Sequence, residues 1–479
     1  MINTTIVYLR ADGNSQMGLG HIHRLLALGE VLRDVFICKF IVRSPLPGVR
    51  KLIGECCDEL IELTELNENA ELEMLTSLLT GKDIVVLDGY QFSTEYQKML
   101  KQSGGRLICI DDVHNIHFIA DVVFNSAGGV EESMYSIEPY TRLFLGPTFA
   151  MIKKAFLQVA GARRIDGPES LLICMGGADP ENHTLSTMKI CLNYSFDSYW
   201  IVVGEAYRHL EELQHAVSVS GKEVRILRNI TPVDLANCMK NCTTAVCAAS
   251  GIAYEYLCVG GELYIKETAN NQAHLYSYLT TAGLAFQFDE FRVSRKQVAS
   301  SLKKQQKIFD GKSGMRILRI FNSLDYALNV TVRHVRVNDL SITFEWANDK
   351  VLRQQSFNPA PITLQDHSNW FNKKISDPLN YFYIFEYKNT PVAQLRFDTG
   401  EEAVISYSID KKYRGRGWGT LVLQSGIELF RDECHETIPV VGYVKAGNEN
   451  SHRVFKDLGF KQSRSEKYPN AFKYEYSTR

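Results

Sequence analysis

Several marks of special protein classes are missing from this sequence. No stretch approaches the roughly 18 consecutive apolar residues of a membrane-spanning helix, and the start of the chain lacks the basic stretch and apolar core of a signal peptide. Lys and Arg total 53 and Asp and Glu total 55, so the formal net charge is only −2. This balance requires neither nucleic acid nor an anionic membrane as a partner, and we expect neither.

The cysteines lack the spacing of a disulfide framework or of a metal site. There are 11, scattered along the chain without a Cys-x-x-Cys pair. An odd number without regular spacing is typical of reduced thiols, so we expect a cytoplasmic protein that binds no metal. What is present is an ordinary globular composition, with 45% hydrophobic and 23% charged residues.

Short apolar segments alternate with helical patterns over the first two thirds of the chain. Each segment resembles a buried parallel strand, and Leu25, Leu28 and Leu32 form one face of the first helix. Two series of this kind predict two doubly wound α/β halves, 1–150 and 151–328. The predicted strands are 5–9, 36–42, 83–87, 107–110 and 122–124 in the first half, and 171–175, 198–203, 224–227, 244–248 and 262–265 in the second.

The remaining residues, 329–479, are predicted to form an α+β domain that is richer in aromatic and charged residues. Turn signals at 388–390 and 398–400 favour antiparallel hairpins. The predicted strands are 381–387, 391–397, 403–409 and 439–444, and the predicted helices are 420–432 and 450–458.

The segment from Arg10 to Arg24 joins the first predicted strand to the first predicted helix, at the sheet edge where open α/β folds bind ligands. Gly18 and Gly20 let the backbone turn tightly and approach a ligand. His21 follows near the helix start, where the positive end of the helix dipole disfavours an imidazolium, and a general base must be neutral. The residues alone leave two interpretations open: a catalytic histidine, or a glycine-rich turn with a histidine cap.

Two strand–loop–helix segments of the second half are candidate anion sites. One runs from a strand into a Gly-Gly pair that ends at Gly177, with Asp179 as a candidate cap of the next helix and Pro180 at the first position of that helix. The other contains Ser250 and Gly251, whose amide is open to a phosphate at a helix N-terminus. Glu255 follows about one turn later, where a carboxylate can accept hydrogen bonds from two ribose hydroxyls.

Together these segments resemble a known family. The pattern is Arg-Ala-Asp at 10–12, Gly-x-Gly-His-Ile-x-Arg at 18–24, Gly-Gly-Ala-Asp-Pro at 176–180, Ser-Gly at 250–251 followed by Glu255, and Asn-Gln at 271–272. It is similar to the UDP-2,4-diacetamido-2,4,6-trideoxy-β-L-altropyranose hydrolase family of pseudaminic acid biosynthesis, over about residues 5–325. The resemblance implies a GT-B fold with two Rossmann-like halves, the active site between them and UDP on the second half.

The same resemblance implies that His21 activates water for inverting attack at the anomeric carbon, without a metal. Gly177, Ser250 and Gly251 would contact the diphosphate and Glu255 the ribose. The further residues that it assigns to the substrate are Arg10, Asp12, Gly20, Arg24, Tyr90, Ile230, Asn271 and Gln272.

Three other polar residues belong to the Arg10–Arg24 segment or follow a nearby predicted strand. Asp111 and Asp112 resemble a metal pair, but adjacent carboxylates at a strand end point in different directions, so we interpret them as structural or sugar-facing. His23 lies elsewhere on the first helix and is interpreted as a surface or packing histidine.

A second glycine-rich loop, 413–420, carries Arg-x-x-Gly-x-Gly and precedes an amphipathic helix. Exposed backbone amides at a helix N-terminus suit a pyrophosphate. With Asn-x-x-Ser at 448–451 and Gly-Phe at 459–460, this loop is similar to the GNAT N-acetyltransferases, which implies acetyl-CoA as co-substrate. The residues that the resemblance assigns to acetyl-CoA are Ile409, Arg414, Gly415, Arg416, Gly417, Gly419, Thr420, Asn448 and Ser451.

The GNAT resemblance also implies a splayed strand at 406–409 that receives the thioester, and direct attack by a neutral amine. Many members protonate the leaving thiolate with a tyrosine at the position that is Phe455 here. Tyr474, Ser408 or a water molecule are the candidates to replace that acid.

A chain with both modules predicts two consecutive steps on one nucleotide sugar. The acetyltransferase would modify a UDP-linked 4-amino-4,6-dideoxy sugar, and the hydrolase would then release UDP from the product. Tethering raises the local concentration of the intermediate at the second site. The alternatives left open are a GT-B glycosyltransferase, a hydrolase of a related legionaminic-type sugar, and a CoA-binding domain that only regulates.

Overall fold

The computed structural model describes residues 5–13, 19–63, 67–162, 169–269, 272–291, 298–434 and 438–476. Backbone contacts divide the chain into two compact units, Met1–Leu318 and Arg319–Arg479. The predicted domain limits at 150 and 328 stay predictions.

The first unit opens with a parallel sheet in the order β3-β2-β1-β4-β5-β7-β9. Every residue of β4 is buried, because helices cover both faces of such a sheet. The strands are β1 (Ile6–Ala11), β2 (Ile37–Arg43), β3 (Glu59–Leu63), β4 (Ile84–Asp88), β5 (Arg106–Ile110), β6 (His117–Phe118), β7 (Val122–Asn125), β8 (Ser136–Ile137) and β9 (Arg142–Leu145), with β6 and β8 forming a separate pair. The helices are α1 (Gly20–Leu32), α2 (Pro47–Cys56), α3 (Glu68–Leu78) and α4 (Thr94–Lys101).

A second parallel sheet repeats this winding in the order β12-β11-β10-β13-β14-β15. The strands are β10 (Ser170–Cys174), β11 (Ser198–Val203), β12 (Val224–Arg228), β13 (Thr244–Ala248), β14 (Glu262–Lys266) and β15 (Phe286–Gln287). The helices are α5 (Lys154–Gln158), α6 (His183–Cys191), α7 (Leu210–Ser220), α8 (Pro232–Asn241), α9 (Gly251–Val259), α10 (Ala273–Thr281) and α11 (Val298–Ile308), followed by α12 (Ser313–Asn329). Two doubly wound parallel sheets are therefore confirmed.

The predicted apolar face of α1 is confirmed, since Leu25, Leu28 and Leu32 have no exposed surface. Ten of the cysteines are buried as well. Burial raises the pKa of the Cys38 and Cys174 thiols to about 12, so both stay protonated at neutral pH.

The second unit is a mixed sheet in the order β16-β17-β18-β19-β20-β22-β21, in which β19 and β20 are parallel and the other neighbours antiparallel. The strands are β16 (Val330–His334), β17 (Asn380–Tyr387), β18 (Thr390–Asp398), β19 (Ala403–Ile409), β20 (Val440–Lys445), β21 (Lys461–Arg464) and β22 (Ala471–Tyr476). The helices are α13 (Leu340–Ala347), α14 (Lys350–Gln355), α15 (Leu364–Ile375), α16 (Trp418–Glu433) and α17 (Glu449–Asp457).

The first predicted hairpin is confirmed at Lys388 and Asn389, which link β17 to β18. Their φ angles of 49° and 61° are both positive, and Tyr387 pairs with Thr390, as in a two-residue type I′ turn. β21 was not predicted from the sequence, because all four of its residues are exposed and none is apolar.

Gly442 of β20 lies against the ring of Phe455, which is 2% exposed and stacked on Tyr474. A Cβ at position 442 would lie 2.4 Å from Cζ of that ring. We predict that Gly442→Ala lowers the free energy of unfolding by about 1–3 kcal/mol, because a confined aromatic ring must move.

Urea unfolding followed by tryptophan fluorescence measures this change. Gly400→Ala is the matched control, since a Cβ there meets nothing within 4 Å. Equal unfolding midpoints for the two variants would contradict the packing of Phe455 on Gly442.

Candidate active sites

The first candidate site lies at the carboxyl edge of the first sheet, where β1 and β4 are neighbours. The chain winds to one side through β2 and β3 and to the other through β5 and β7, which leaves a crevice at that edge. The exposed Gly20 begins α1 there, and Asp88 ends β4. The topology therefore brings His21 of α1 to Asp88.

His21 is hydrogen-bonded to Asp88. Its Nδ1 lies 2.7 Å from Oδ1 of Asp88, which has no exposed surface, whereas 12% of the His21 side chain is exposed. Because a carboxylate oxygen accepts, we assign the proton to Nδ1, and Nε2 keeps its lone pair. A general base oriented by a buried carboxylate has this arrangement.

Arg24, one turn further along α1, joins two carboxylates. Its Nε and Nη2 donate to Asp88 at 2.7 and 2.5 Å, and its Nη1 and Nη2 donate to Asp112 at 2.6 and 3.0 Å. Burial opposes ionisation of Asp112, but the guanidinium outweighs it and holds the pKa of this carboxyl below its ordinary value. Arg24 thereby fixes Asp88, and through it the His21 ring.

Tyr90 is the exposed residue of this cluster, at 65% exposure. Its ring meets that of His21 edge to face with centroids 4.9 Å apart, and its hydroxyl donates to Asp112 at 3.4 Å. Asp111 instead accepts a hydrogen bond from Tyr135 at 2.9 Å. The two adjacent carboxylates therefore have different partners, as predicted.

Arg10 is only 1% exposed and belongs to an ion-pair network. Its Nε donates to Glu71 at 2.8 Å, and its Nη1 and Nη2 donate to the two oxygens of Asp12 at 2.5 and 2.7 Å. Glu71 also accepts from Tyr96 and Arg43. All three guanidinium nitrogens bind carboxylates, so Arg10 acts on the loop through Asp12.

The glycine loop after β10 exposes Gly177. Asp179 accepts hydrogen bonds from the amides of His183 and Thr184 at 2.8 and 2.7 Å, so its side chain satisfies the first amides of α6, although Asn182 occupies the N-cap position. The helix begins at His183, a few residues later than the sequence suggested with Pro180 at its first position.

Ser250 occupies the N-cap position of α9, but its side chain makes no capping hydrogen bond. Gly251 is exposed, so the start of this helix is accessible to an anion. Glu255 is partly buried one turn later. Burial raises the pKa of its carboxyl to about 7, and Lys153 offsets part of that rise.

The remaining predicted contacts of the second half have varied surroundings. Ile230 packs partly buried against the core. The side chain of Gln272 accepts from the Thr268 amide at 2.8 Å. Asn271 lies outside the described residues.

Two observations connect the two halves of the first unit near α1 and α9. Tyr254 of α9 donates to the carbonyl of Ser126, after β7, at 2.9 Å. The charge of Lys153 acts both on His23 of α1 and on Glu255 of α9. The His21 helix and the Ser250 helix therefore face a common region. His23 itself is exposed at the surface.

The second candidate site is the glycine-rich loop before α16. Gly415 and Gly417 have φ angles of 77° and 88°, which favour glycine, and α16 begins directly after Gly417. A Cβ on Gly419 would lie 3.0 Å from a methyl group of Val454 on α17. Thr420 lies in the first turn of the helix. The loop thus presents backbone at a helix N-terminus.

Two arginines of this loop differ in their partners. Arg414 donates from Nε to the Ile409 carbonyl at 2.8 Å and from Nη1 to Asp349 at 2.9 Å. Its Nη2 is buried and has no hydrogen-bond partner among the described residues, which fits a phosphate oxygen. Arg416 is exposed. Both are therefore suited to an anionic ligand.

The two parallel strands next to this loop separate. β19 and β20 pair only at Ala403 with Val440 and at Val404 with Val441. Beyond Val404 they diverge, which confirms the splayed strand predicted at 406–409. On the far side of the gap Asn448 caps α17, accepting from the Ser451 amide at 3.2 Å. Ser451 in turn lies 3.1 Å from the hydroxyl of Tyr407 on β19.

Residues 329–461 match the acetyltransferase (GNAT) domain family. The C-terminal region has the GNAT acetyltransferase fold. A GNAT domain implies the use of acetyl-CoA.

Phe455, Tyr474 and Ser408, the three positions considered for the general acid, differ in their surroundings. Phe455 is buried and carries no proton donor. Tyr474 has no exposed surface, and its hydroxyl is 2.8 Å from Nδ1 of His452, so it belongs to the core. Ser408 is 8% exposed, and its Oγ has no partner within the described part of the chain.

Two known proteins are similar to a little over half of this chain, and a third is similar to nearly all of it. The UDP-2,4-diacetamido-2,4,6-trideoxy-β-L-altropyranose hydrolase of Campylobacter jejuni is 25% identical over 288 residues, which cover 59% of this chain and 98% of that protein. The spore coat polysaccharide biosynthesis protein SpsG of Bacillus subtilis is 22% identical over 55% of this chain and 77% of its own length. An uncharacterized protein of Methanocaldococcus jannaschii is 22% identical over 95% of this chain and 96% of its own length.

Among the described residues, no helix combines the length and apolar character needed to cross a membrane. No three His, Cys, Asp or Glu side chains in the described ranges converge in the manner of a metal site. The cytoplasmic location stays a prediction.

Asp88 as the partner of His21, and Lys153 and Tyr407, were not predicted from the sequence. A signal existed for Asp88, because it is the one charged residue of an otherwise apolar strand. Lys153 and Tyr407 are distinguished only by their neighbours in the folded protein, and a single sequence does not reveal those neighbours.

The raised pKa of Glu255 gives a stability prediction. Its carboxyl has a pKa of about 7 in the fold against an ordinary value of 4.5, so ionisation above pH 7 destabilises the folded state, and below about pH 4.5 this effect is absent. We predict that Glu255→Gln raises the melting temperature at pH 8 more than at pH 5.

Thermal unfolding at both pH values measures this difference. Glu73→Gln, an exposed glutamate on α3, is the control and should change neither value. An equal shift for Glu255→Gln at pH 5 and pH 8 would show that the carboxyl is ordinary.

Proposed function

We propose that this chain is a bifunctional nucleotide-sugar enzyme of pseudaminic acid biosynthesis. The GNAT domain uses acetyl-CoA to acetylate the 4-amino group of a UDP-linked 4-amino-4,6-dideoxy sugar. The first unit then hydrolyses the product to UDP and 2,4-diacetamido-2,4,6-trideoxy-L-altrose. The observation that carries the proposal is the buried Asp88–His21 pair at the β1–β4 crevice, in a region similar to a UDP-sugar hydrolase.

In this proposal the first unit is a GT-B enzyme. Residues 1–150 form the half that carries His21, residues 151–328 form the half that binds UDP, and residues 329–479 form the acetyltransferase domain. The support is the repeated doubly wound order of the two sheets together with the similarity to the Campylobacter jejuni hydrolase.

Hydrolysis begins when Nε2 of His21 takes a proton from water. The water oxygen attacks the anomeric carbon opposite the UDP group, the bond from that carbon to the phosphate oxygen breaks, and the configuration inverts. Asp88 stabilises the imidazolium that forms, as the carboxylate of a catalytic triad does. Arg24 keeps Asp88 in place, and Tyr90 holds the sugar beside the imidazole.

The departing diphosphate is bound by backbone groups of the second half. Gly177 and Gly251 supply amides, the latter at the start of α9, where the helix dipole favours negative charge. Glu255 accepts hydrogen bonds from the ribose hydroxyls, and Ile230 borders the uracil.

Acetyl transfer uses the loop before α16 and the gap between β19 and β20. Arg414, Arg416 and the amides of Gly415 and Gly417 bind the pyrophosphate of acetyl-CoA, and Asn448 contacts its pantetheine arm. The amine of the sugar then attacks the thioester carbonyl, whose oxygen is held by a backbone amide of β19.

Mass spectrometry after incubation of the protein with acetyl-CoA and the UDP-4-amino sugar tests both reactions. We expect the acetylated UDP-sugar first and then UDP with the free diacetamido sugar. UDP release that requires an added sugar acceptor would indicate a glycosyltransferase. Consumption of neither acetyl-CoA nor UDP-sugar would overturn the proposal, and UDP release without acetylation would leave the GNAT domain a regulatory role.

We predict that His21→Ala lowers hydrolysis of the acetylated UDP-sugar by about 10²–10⁴-fold, the range for losing a general base. Calorimetry should still detect binding of UDP, because in this proposal the nucleotide lies on the half formed by residues 151–328. Acetyl transfer is the internal control and should be unchanged. Wild-type turnover in this variant would remove His21 from the mechanism.

We predict the reciprocal effect for Gly417→Val. A β-branched residue at a φ of 88° is strained, so the loop loses its conformation and acetyl transfer falls below detection. Hydrolysis, assayed with the acetylated UDP-sugar, should stay close to the wild-type rate. Loss of both activities would contradict the independence of the two sites.

A further inference from the structure

Acetyl transfer, if it proceeds as proposed above, produces a thiolate in the gap between β19 and β20. A sulfur anion in a partly apolar gap needs a proton donor, and Phe455, which borders the gap, has none. Tyr474 and His452 bind each other within the core. The proton must therefore come from another group that faces the gap or from a water molecule.

The two faces of β19 differ in the donors that they present. In the pairing with β18, Tyr407 lies opposite Leu395, whose side chain packs against Gly426 of α16. Tyr407 is therefore on the face that carries α16 and α17. Ser408 points to the opposite face, because side chains alternate along a strand.

Tyr407 reaches across the gap to α17. Its hydroxyl lies 3.1 Å from Oγ of Ser451, and its ring centroid is 6.3 Å from that of Phe455. Ser451 and Phe455 are four residues apart and lie on one face of α17. The phenol thus lies one turn from the position at which the family carries its tyrosine.

We propose that Tyr407 is the general acid that protonates the departing thiolate. Tyr407 acts from β19 on one side of the gap, and a hydrogen bond with Ser451 of α17 positions its hydroxyl. Burial raises the pKa of Tyr407, although its bond to Ser451 acts in the opposite direction, so the phenol carries its proton at neutral pH.

The amine nitrogen forms a bond to the thioester carbonyl carbon, and the bond from that carbon to sulfur breaks with its electron pair on sulfur. Tyr407 gives its proton to sulfur, which yields the free thiol of CoA. The proton that the nitrogen loses on becoming an amide returns through solvent to the tyrosinate.

A binding experiment without any acceptor tests whether the phenol contacts the sulfur. Calorimetry compares CoA with desulfo-CoA, which lacks the thiol. We expect wild type to favour CoA by roughly three- to tenfold, the value of one hydrogen bond, and Tyr407→Phe to bind both equally. The same preference in wild type and variant, or none in wild type, would overturn the proposal.

A kinetic experiment tests the proton transfer. With the UDP-4-amino sugar and acetyl-CoA, Tyr407→Phe should lower kcat of acetyl transfer by about 10²-fold or more. Tyr443→Phe is the matched control, since its hydroxyl contacts Glu402 at 3.1 Å, and it should keep kcat. An unchanged kcat in Tyr407→Phe would also overturn the assignment. Thiol discrimination in a wild-type protein that does not acetylate this sugar would instead count against the proposed substrate.

Discussion

The carboxylate of Asp88 is the group on which the first candidate site depends. It is fully buried, and a buried charge is costly unless it is paired and hydrogen-bonded. Arg24 supplies the charge, and His21 supplies a further hydrogen bond. Because one carboxylate binds both side chains, the imidazole orientation is determined by an ion pair that the fold itself requires. Asp112 completes the pairing of Arg24 and carries the network to the exposed hydroxyl of Tyr90.

A different constraint governs the second site. Parallel strands normally pair along their length, but β19 and β20 pair at only two positions. Backbone groups that face the gap beyond Val404 are therefore open to a ligand, apart from the Ile409 carbonyl, which accepts from Arg414. Tyr407 and Ser451 approach each other across this gap, and Arg414 and the glycines lie at its end. Both sites therefore use features of the sheet itself, a topological switch point in the first unit and a strand separation in the second.

The sequence predicted much of this fold and part of the sites. Buried parallel strands such as β11 and β13 are continuous apolar segments, and their predicted limits coincide with the structure. The edge strands β21 and β15 were missed, because β21 is polar throughout and β15 has two residues, whereas the more apolar edge strand β12 was predicted. His21 and the glycine loops were identified by composition and position. The pairing of His21 with Asp88, 67 positions away, depends on strand order, which periodicity does not encode.

The central claim is that the His21–Asp88 pair directs water to the anomeric carbon of a UDP-sugar. The most direct measurement is hydrolysis in water enriched in the heavy oxygen isotope, followed by the mass of the released UDP. The account predicts UDP without added isotope, because the bond from carbon to oxygen breaks and the phosphate keeps its own oxygen. Heavy oxygen in UDP would place the attack at phosphorus and contradict the account.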